Sequence, residues 1–320
     1  MRYTRLGRRG PVVSSIGLGS LALAGAYGRA HEGDADRLVG RALDAGVTLL
    51  DTSAFYAEGR VERLIGRAVA GRSDEVVVST RGGVRALGPA GQVRYDDDPA
   101  ALERDCDASL ERLGAECIDL YYLHCRDGRG PVEESMGRLA QLVRAGKIRY
   151  VGLTNGTLRQ LREAHAVHPV TALGVEYSVW GRYADPDLIA AARELGIALV
   201  AARPLGRGFL TGRVRVDARF EAGDWRGDDP RFGPGQDRHC AGLQALEAAA
   251  AQLDLSAGRL ALAWLLAQGE HTVPVPSTRS QVHLEMNLAA AAVELPPEVR
   301  DKLAGVFPLD DWNQSPSPLV

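Results

Sequence analysis

Four side chains of different chemistry lie at or just after the ends of short apolar runs in the sequence. Asp51 ends one run and Tyr56 follows it, while Arg81 and His124 end two others. A single Asp or Tyr in such a place is more often structural, as a helix cap or a packing group. Charged groups are costly to bury unless they are paired, however, so a carboxylate, a phenol, a guanidinium and an imidazole together indicate a site with tuned pKa values.

Eight apolar runs rich in Val, Ile and Leu alternate with segments of helical period. They cover residues 15–18, 47–50, 76–79, 118–123, 148–153, 171–175, 197–201 and 272–275. The runs are continuous, as in parallel strands buried on both faces. Gly46, Gly146 and Gly196 precede three of them, where a helix should end. The order predicts an α/β fold of the (β/α)₈ TIM-barrel type, with a doubly wound open sheet as the alternative.

The barrel prediction places the four ionisable groups together, because the active site of such a barrel lies at the C-terminal ends of its strands. Residues 3–13 are predicted to form an N-terminal β-hairpin, and extra helices and a tail should follow the last strand. The polar segment 211–235 is too long for a routine connection, which predicts a functional loop. No linker interrupts the pattern, so residues 1–320 are expected to form a single barrel domain.

Composition excludes several function classes. The 320 residues carry 38 Lys and Arg against 41 Asp and Glu, a net charge of -3. The chain has no excess of basic residues, which argues against nucleic acid or an anionic membrane as a partner. There is no apolar run of about 20 residues and no signal-peptide core, which predicts a cytoplasmic protein. The four cysteines lack metal or disulfide spacing, and we expect no metal site.

Two other barrel chemistries can be excluded from the residues. A Schiff-base enzyme needs a lysine at the barrel mouth, but Lys147 precedes a strand and Lys302 lies near the C-terminus. A metallohydrolase needs clustered ligands at strand ends, and among the seven histidines only His124 clearly ends a strand.

Several sequence blocks, in order, resemble the aldo-keto reductase family. They are Gly17-Leu18-Gly19, Asp51-Thr52-Ser53-Ala54-Phe55-Tyr56 with Glu58-Gly59, Glu62 and Gly66, Ile118-Asp119-Leu120-Tyr121-Tyr122-Leu123-His124, Gly146-Lys147-Ile148-Arg149-Tyr150-Val151-Gly152, Pro204-Leu205-Gly206-Arg207-Gly208-Phe209-Leu210-Thr211-Gly212, and Val275-Pro276-Ser277-Thr278-Arg279 through Asn287. The resemblance covers nearly the whole chain.

The resemblance implies a TIM barrel that binds NADPH without a Rossmann domain and reduces a small-molecule carbonyl by hydride transfer. It implies that Tyr56 is the general acid, that His124 orients the carbonyl oxygen, and that Asp51 holds the neighbouring cation, Arg81. An adjacent positive charge is expected to lower the pKa of the Tyr56 phenol from about 10.

The resemblance also implies a set of cofactor-binding residues. Thr154 and Asn155 would hold the carboxamide, the 206–210 segment with Arg213 the pyrophosphate, Arg279 and His283 a 2′-phosphate, and Asn287 the adenine. The whole set is Ser20, Thr154, Asn155, Arg203, Pro204, Leu205, Gly206, Gly208, Leu210, Arg213, Ser277, Arg279, His283 and Asn287.

The sequence departs from the family around the nicotinamide. Arg81 replaces a lysine, Gly174 a glutamine, Ala202 an aromatic residue and Arg203 a serine, and Met286 replaces an acid near the adenine. These changes leave open a family member without net redox activity, an isomerase, epimerase or dehydratase that uses Tyr56, His124 and Arg81, with the cofactor lost or kept only for structure. A third alternative is a redox-sensing subunit of a membrane channel. Arginines in the 126–131 and 211–235 loops favour a polar or anionic substrate; substrate identity and oligomeric state are not specified.

Overall fold

The computed structural model describes residues 1–29, 32–86, 93–96, 98–125, 132–181, 186–233 and 238–307. Eight parallel strands form one curled sheet, in the spatial order of the chain. They are β3 (Leu18–Gly19), β4 (Leu49–Asp51), β5 (Val77–Gly82), β8 (Ile118–His124), β9 (Ile148–Thr154), β10 (Val170–Glu176), β11 (Ala198–Ala202) and β12 (Thr272–Pro274). The predicted (β/α)₈ TIM barrel is confirmed.

The first and last strands meet through main-chain contacts. The amides of Gly17 and Gly19 donate to the carbonyl oxygens of Pro274 (3.0 Å) and Pro276 (3.1 Å), and Gly19 forms a parallel bridge with Ser277. Gly19 leaves no room for a side chain, because a Cβ there would lie 2.5 Å from the carbonyl oxygen of Val275. The barrel seam therefore depends on a close approach of two backbones.

All eight predicted strands are present, but most end later than the apolar runs. Strands β4, β5, β8 and β9 continue through Asp51, Arg81, His124 and Thr154. The strand pairing continues past the apolar core to these polar positions at the barrel mouth. The strands thus carry the candidate site residues directly.

Helices surround the sheet and cover its outer face. They are α1 (Glu32–Asp44), α2 (Arg60–Val69), α3 (Pro99–Leu113), α4 (Val132–Arg144), α5 (Leu158–Val167), α6 (Pro186–Leu195), α7 (Arg238–Gln252), α8 (Ala257–Leu266), α9 (Gln281–Leu288) and α10 (Pro297–Leu303). The last two are the predicted C-terminal helices, while the tail, 308–320, lies outside the described residues. Within the described part of the chain, no helix is both long and apolar enough to cross a bilayer.

The predicted N-terminal hairpin is formed by β1 (Tyr3–Arg5) and β2 (Val12–Ser14). Leu6 and Val13 join the apolar cluster that fills the barrel interior, together with strand residues such as Leu120 and Val200. The hairpin therefore closes the end of the barrel opposite the candidate site.

A second antiparallel hairpin, β6 (Val84–Ala86) and β7 (Val93–Tyr95), follows β5. The described part of the predicted 211–235 loop, residues 211–233, is mostly irregular, with a short 3₁₀ turn at Trp225–Asp228. Both segments border the mouth of the barrel.

The single-domain organisation stays a prediction.

The seam predicts different effects for two glycine substitutions. Gly19→Ala forces a Cβ against main chain and should lower the free energy of unfolding by about 1–3 kcal/mol. Gly40→Ala, in the middle of α1 with nothing within 4 Å of the new Cβ, should raise it by about 0.5–1 kcal/mol. Urea denaturation measures both free energies of unfolding. Equal changes in the two variants would contradict the close backbone contact at the seam.

Candidate active site

A buried ion pair lies at the end of two adjacent strands. Nη2 of Arg81 donates to Oδ2 of Asp51 at 2.5 Å, and Oγ of Ser79 donates to Oδ1 of the same carboxylate at 2.7 Å. Nε of Arg81 donates to the carbonyl oxygen of Thr52 at 3.2 Å. Burial lowers the pKa of Arg81, but Asp51, Tyr56 and Tyr122 together raise it by more, so the guanidinium stays charged.

Tyr56 lies beside this pair on the turn that follows β4. Ala57 and Glu58 adopt left-handed backbone angles, with φ of 49° and 55°, and this tight turn holds Tyr56 against the barrel mouth. The side chain is only 4 % exposed. Its phenol faces the same cleft as Asp51.

The expected lowering of the Tyr56 pKa is wrong for this structure. Burial raises the pKa of the phenol above its ordinary value, and the charges of Arg81 and Arg203 only offset part of that rise. Removal from water disfavours the phenolate more than two nearby cations stabilise it, since Asp51 neutralises much of the effect of Arg81.

His124 is fully buried at the end of β8. Its Nε2 lies 3.2 Å from Nδ2 of Asn155. Burial, with the charges of Arg81 and Arg203, lowers the pKa of His124 to about 3, so the imidazole is neutral at physiological pH. The Nδ1 atom has no hydrogen-bond partner among the described residues.

Two aromatic rings cover His124. The ring of Phe55 lies 6.5 Å from the imidazole centroid, and the ring of Tyr95, from hairpin β6–β7, lies 5.6 Å from it. Tyr95 could not be identified from the sequence, because no spacing signal distinguishes a tyrosine within a long connection. The hairpin therefore adds a second phenol beside the candidate catalytic residues.

A single cleft joins this centre to most of the predicted cofactor-binding residues. Asp51 and Tyr56 line one end, and the predicted residues along it are Ser20, Arg203, Pro204, Leu205, Gly208, Arg213, Ser277, Arg279, His283 and Asn287. The other four predicted cofactor-binding residues are buried and do not line that cleft; they are Thr154, Asn155, Gly206 and Leu210. Arg81 and His124 are also buried and do not line it.

The far end of the cleft is basic. Nη1 of Arg213 lies 2.8 Å from Nε2 of His283. Arg279 donates to the carbonyl oxygens of Tyr27, at 2.7 Å, and Arg29. Arg259, at the start of α8, also lines the cleft, and sequence reasoning missed it.

Buried polar atoms without a hydrogen-bond partner among the described residues include Oγ of Ser20 and Nε of Arg259, both in residues that line the cleft. Oγ1 of Thr154, which does not line the cleft, is another. A buried polar atom without a partner is costly, so such atoms are expected to meet a ligand or water. Unsatisfied atoms and several cations along one cleft fit a long polyanionic ligand such as a dinucleotide.

Gly174 has a packing reason that was not evident from the sequence. It pairs with Thr154 across β9 and β10, and a Cβ at Gly174 would lie 2.7 Å from Cγ2 of that threonine. The same Cβ would lie 3.6 Å from Cε1 of Tyr122. The family has a glutamine at the position of Gly174. Here the Thr154 methyl group fills part of the space that the glutamine side chain would take.

A buried cluster of five charged residues adjoins the cleft, and two of its arginines, Arg203 and Arg207, line it. Nη1 of Arg203 donates to Oε2 of Glu176 at 2.6 Å, Arg231 also donates to Glu176, and Asp229 pairs with Arg207 (2.7 Å) and Arg231 (2.8 Å). Burial raises the pKa of Glu176, but the three arginines lower it much further, so the carboxylate is ionised. Only Arg203 was predicted, because the partners lie far apart in sequence.

The packing of Gly174 against Thr154 can be tested by a double-mutant cycle. Gly174→Ala should lower the free energy of unfolding by about 1–3 kcal/mol, because the new Cβ meets the threonine methyl. Thr154→Ser removes that methyl, so Gly174→Ala should cost less than half as much in its background. Urea unfolding of the four proteins measures this, and an equal cost in both backgrounds would refute the contact.

The neutrality of His124 predicts a pH effect on stability. Its folded pKa of about 3 is below the value of about 6.5 for an unfolded chain, so protonation favours unfolding. The free energy of unfolding should therefore fall as the pH drops from about 6.5 towards 3. His124→Asn should lose less stability than the wild type between pH 7 and pH 5. The same loss in both proteins would show that His124 does not titrate in this way.

Comparison with known proteins agrees with this geometry. The sequence profile of the Aldo/keto reductase family matches residues 15–306. The glycerol dehydrogenase AKR11B4 from Gluconobacter oxydans has a similar structure, with a TM-score of 0.85 and 27% sequence identity over 97% of this chain and 98% of that chain. The resemblance found in the sequence is confirmed. The chain belongs to the aldo/keto reductase family, whose members are oxidoreductases that use nicotinamide cofactors.

Proposed function

We propose that this protein reduces a carbonyl group of a small molecule or natural-product intermediate with NADPH, and that Tyr56 is the general acid. The observation that carries the proposal is one cleft that joins Tyr56 and the Asp51–Arg81 pair to a basic far end. The similar structure is a glycerol dehydrogenase, an enzyme of alcohol–carbonyl interconversion, which supports the same class of reaction.

The residues of the far end favour NADPH over NADH. Arg279, His283 and Arg213 would hold the 2′-phosphate and the pyrophosphate, and Asn287 would contact the adenine. Arginine binds phosphate through paired, charge-assisted hydrogen bonds. The bound cofactor supplies the hydride. The carboxamide would be held by Thr154 and Asn155, and the unsatisfied Oγ1 of Thr154 supports this assignment.

Tyr56 would deliver the proton to the carbonyl oxygen as the alcohol forms. The raised pKa keeps the phenol protonated at neutral pH, as a general acid requires. Arg81, fixed by Asp51, would stabilise the phenolate that remains after proton transfer. Because an arginine side chain does not deprotonate, the replacement of the family lysine preserves the charge but removes a possible proton carrier.

His124 would orient the substrate oxygen without exchanging its own proton. A neutral imidazole offers one N–H donor, and a pKa of about 3 prevents it from competing with Tyr56 as the proton source. The imidazole is fully buried in this structure, with the rings of Phe55 and Tyr95 near it.

A second candidate function is proton transfer without net redox chemistry, as in an isomerase, epimerase or dehydratase. The observation that favours it is the altered nicotinamide end, where Gly174 is packed against Thr154 and Ala202 lines the cleft without an aromatic ring. NADPH binding and turnover together separate the two functions. Micromolar or tighter binding with oxidation of NADPH by a carbonyl compound supports the reductase, whereas no binding at millimolar cofactor supports proton transfer alone.

Tyr56→Phe tests the role of the phenol. We expect kcat/KM for carbonyl reduction, followed by NADPH absorbance at 340 nm, to fall by about 10²–10⁴-fold, because general acid catalysis contributes that much. The dissociation constant for NADPH should change by less than about threefold.

Tyr3→Phe is the matched control for that experiment, because Tyr3 is 54 % exposed at the opposite end of the barrel. It should retain full activity. Reduction by Tyr56→Phe at the wild-type rate would contradict the assignment.

The cytoplasmic location stays a prediction, as does the absence of nucleic-acid and membrane partners.

A further inference from the structure

Tyr122 lies inside the barrel, next to the Asp51–Arg81 pair. It is the direct partner of Arg81 across β5 and β8, so the two side chains point to the same face of the sheet. Cζ of the Arg81 guanidinium lies over the face of the Tyr122 ring, 5.5 Å from its centroid. The tyrosine is only 1 % exposed, so this contact between a cation and an aromatic ring is shielded from water.

Two glycines on the next strands leave room for the Tyr122 ring. Gly152 is the partner of Tyr122 across β8 and β9, and a Cβ at Gly152 would overlap Cδ1 and Cε1 of the ring. A Cβ at Gly174, on β10, would lie 3.6 Å from Cε1. The ring therefore occupies space that a side chain at position 152 would need, and the close Gly152 backbone fixes its position.

The ring contact adds a third restraint to the Arg81 guanidinium. Nη2 donates to Asp51, and Nε donates to the carbonyl oxygen of Thr52. The N–H groups of a guanidinium lie in its plane, so these two bonds restrain the group at its edge. The ring acts from outside that edge, through the attraction of its negative face for the positive charge. Asp51, Thr52 and Tyr122 together fix one position of the charge.

The aromatic ring, and not the hydroxyl group, is the part of Tyr122 that acts on Arg81. The hydroxyl oxygen is buried and has no hydrogen-bond partner among the described residues. Burial raises the pKa of this phenol, so it stays protonated and uncharged. A phenylalanine at this position would keep the ring face and lose only a group that has no partner.

We propose that Tyr122 is a positioning residue, whose ring holds the Arg81 guanidinium beside Tyr56. The inference rests on the proposed reductase function. In that function Arg81 stabilises the phenolate that Tyr56 leaves after proton transfer, and a fixed charge stabilises it more than one that must reorganise. The inference also gives a reason for an arginine at position 81, because a planar guanidinium stacks on aromatic faces.

Two variants test the role of the ring, with NADPH and 4-nitrobenzaldehyde as the probe substrate. Tyr122→Leu removes the aromatic face, and its kcat should fall by about 5- to 30-fold, up to the full value of a desolvated cation–π contact. The KM for the aldehyde and the dissociation constant for NADPH should change by less than about threefold, because Tyr122 does not line the cleft. Tyr122→Phe keeps the ring and should retain at least about half of the wild-type kcat.

Tyr121→Leu is the matched control for loss of a buried ring. Tyr121 is the preceding residue of β8 and is also fully buried, but it points to the opposite face of the strand and belongs to a different apolar cluster. Its kcat should stay within about twofold of the wild type. Equal losses of kcat in Tyr121→Leu and Tyr122→Leu would show that only packing matters, and would overturn the inference.

A fluorinated ring separates the charge on the ring face from its shape. We suggest 3,4,5-trifluorophenylalanine at position 122, introduced by amber suppression, because it keeps nearly the shape of phenylalanine and weakens the negative face. Its kcat should lie at least threefold below that of Tyr122→Phe. This comparison also serves if Tyr122→Leu does not fold, and equal kcat values for the two rings would overturn the inference.

A stability measurement distinguishes failure of the inference from failure of the proposed function. The fluorinated ring should give a larger unfolding equilibrium constant in urea than the phenylalanine ring. The ratio of the two constants should be at least threefold larger with the native Asp51–Arg81 pair than in an Asp51→Asn/Arg81→Gln background, where no charge faces the ring. Equal ratios would overturn the inference. Absence of NADPH oxidation by the wild type with every carbonyl would instead refute the proposed function.

Discussion

The ion pair between Asp51 and Arg81 is the interaction on which the candidate site depends. Each partner alone would be very costly to bury, and their attraction offsets that cost only because Ser79 and the Thr52 carbonyl satisfy further hydrogen bonds. The register of β4 and β5 sets their positions, since Asp51 lies opposite Ser79. A rigid cation beside Tyr56 therefore follows from the strand pairing of the barrel.

The same low-dielectric environment shifts the pKa values of Tyr56 and His124, the two groups next to this pair, in opposite directions. Burial raises the pKa of Tyr56 and lowers that of His124, so both groups are neutral over the physiological range. One can then give a proton while the other only orients, which is how two neighbouring groups acquire distinct roles. The division depends on exclusion of water, to which the rings of Phe55 and Tyr95 contribute.

Backbone strain is concentrated at the mouth of the barrel. Asn155, Arg203 and Arg207 all have left-handed backbones, with φ of 57°, 48° and 57°. Left-handed angles in non-glycine residues are kept where the surrounding structure determines them, and they concentrate at functional sites. Strain at three residues of the mouth fits a site that is shaped for a ligand.

Sequence reasoning found the strands and the ionisable groups at their ends, because a buried parallel strand is a continuous apolar run and its last residue enters the barrel mouth. It placed Asp51, Tyr56, Arg81 and His124 at one mouth for this reason. It gave the wrong direction for the Tyr56 pKa, because burial is a property of tertiary packing. It also missed Tyr95, whose position depends on a hairpin with no marked pattern.

Two other features were beyond the reach of the sequence for a related reason. The partners of the buried charge cluster, such as Glu176 and Arg231, are 55 positions apart, and no local spacing links them. From the sequence, Gly174 is only a position where the family has a glutamine. In the structure, the methyl group of Thr154 occupies the space that a Cβ at Gly174 would need. Both depend on which strands become neighbours.

A crystal structure of the protein with NADP⁺ tests the central claim most directly, because the account requires the reacting end of the cofactor to lie beside Tyr56. The predicted result is a dinucleotide along the whole cleft, with its 2′-phosphate at Arg279 and His283 and its nicotinamide next to the Tyr56 hydroxyl and the Asp51–Arg81 pair. A nicotinamide turned away from Tyr56, or a cleft that stays empty at saturating cofactor, would contradict the account.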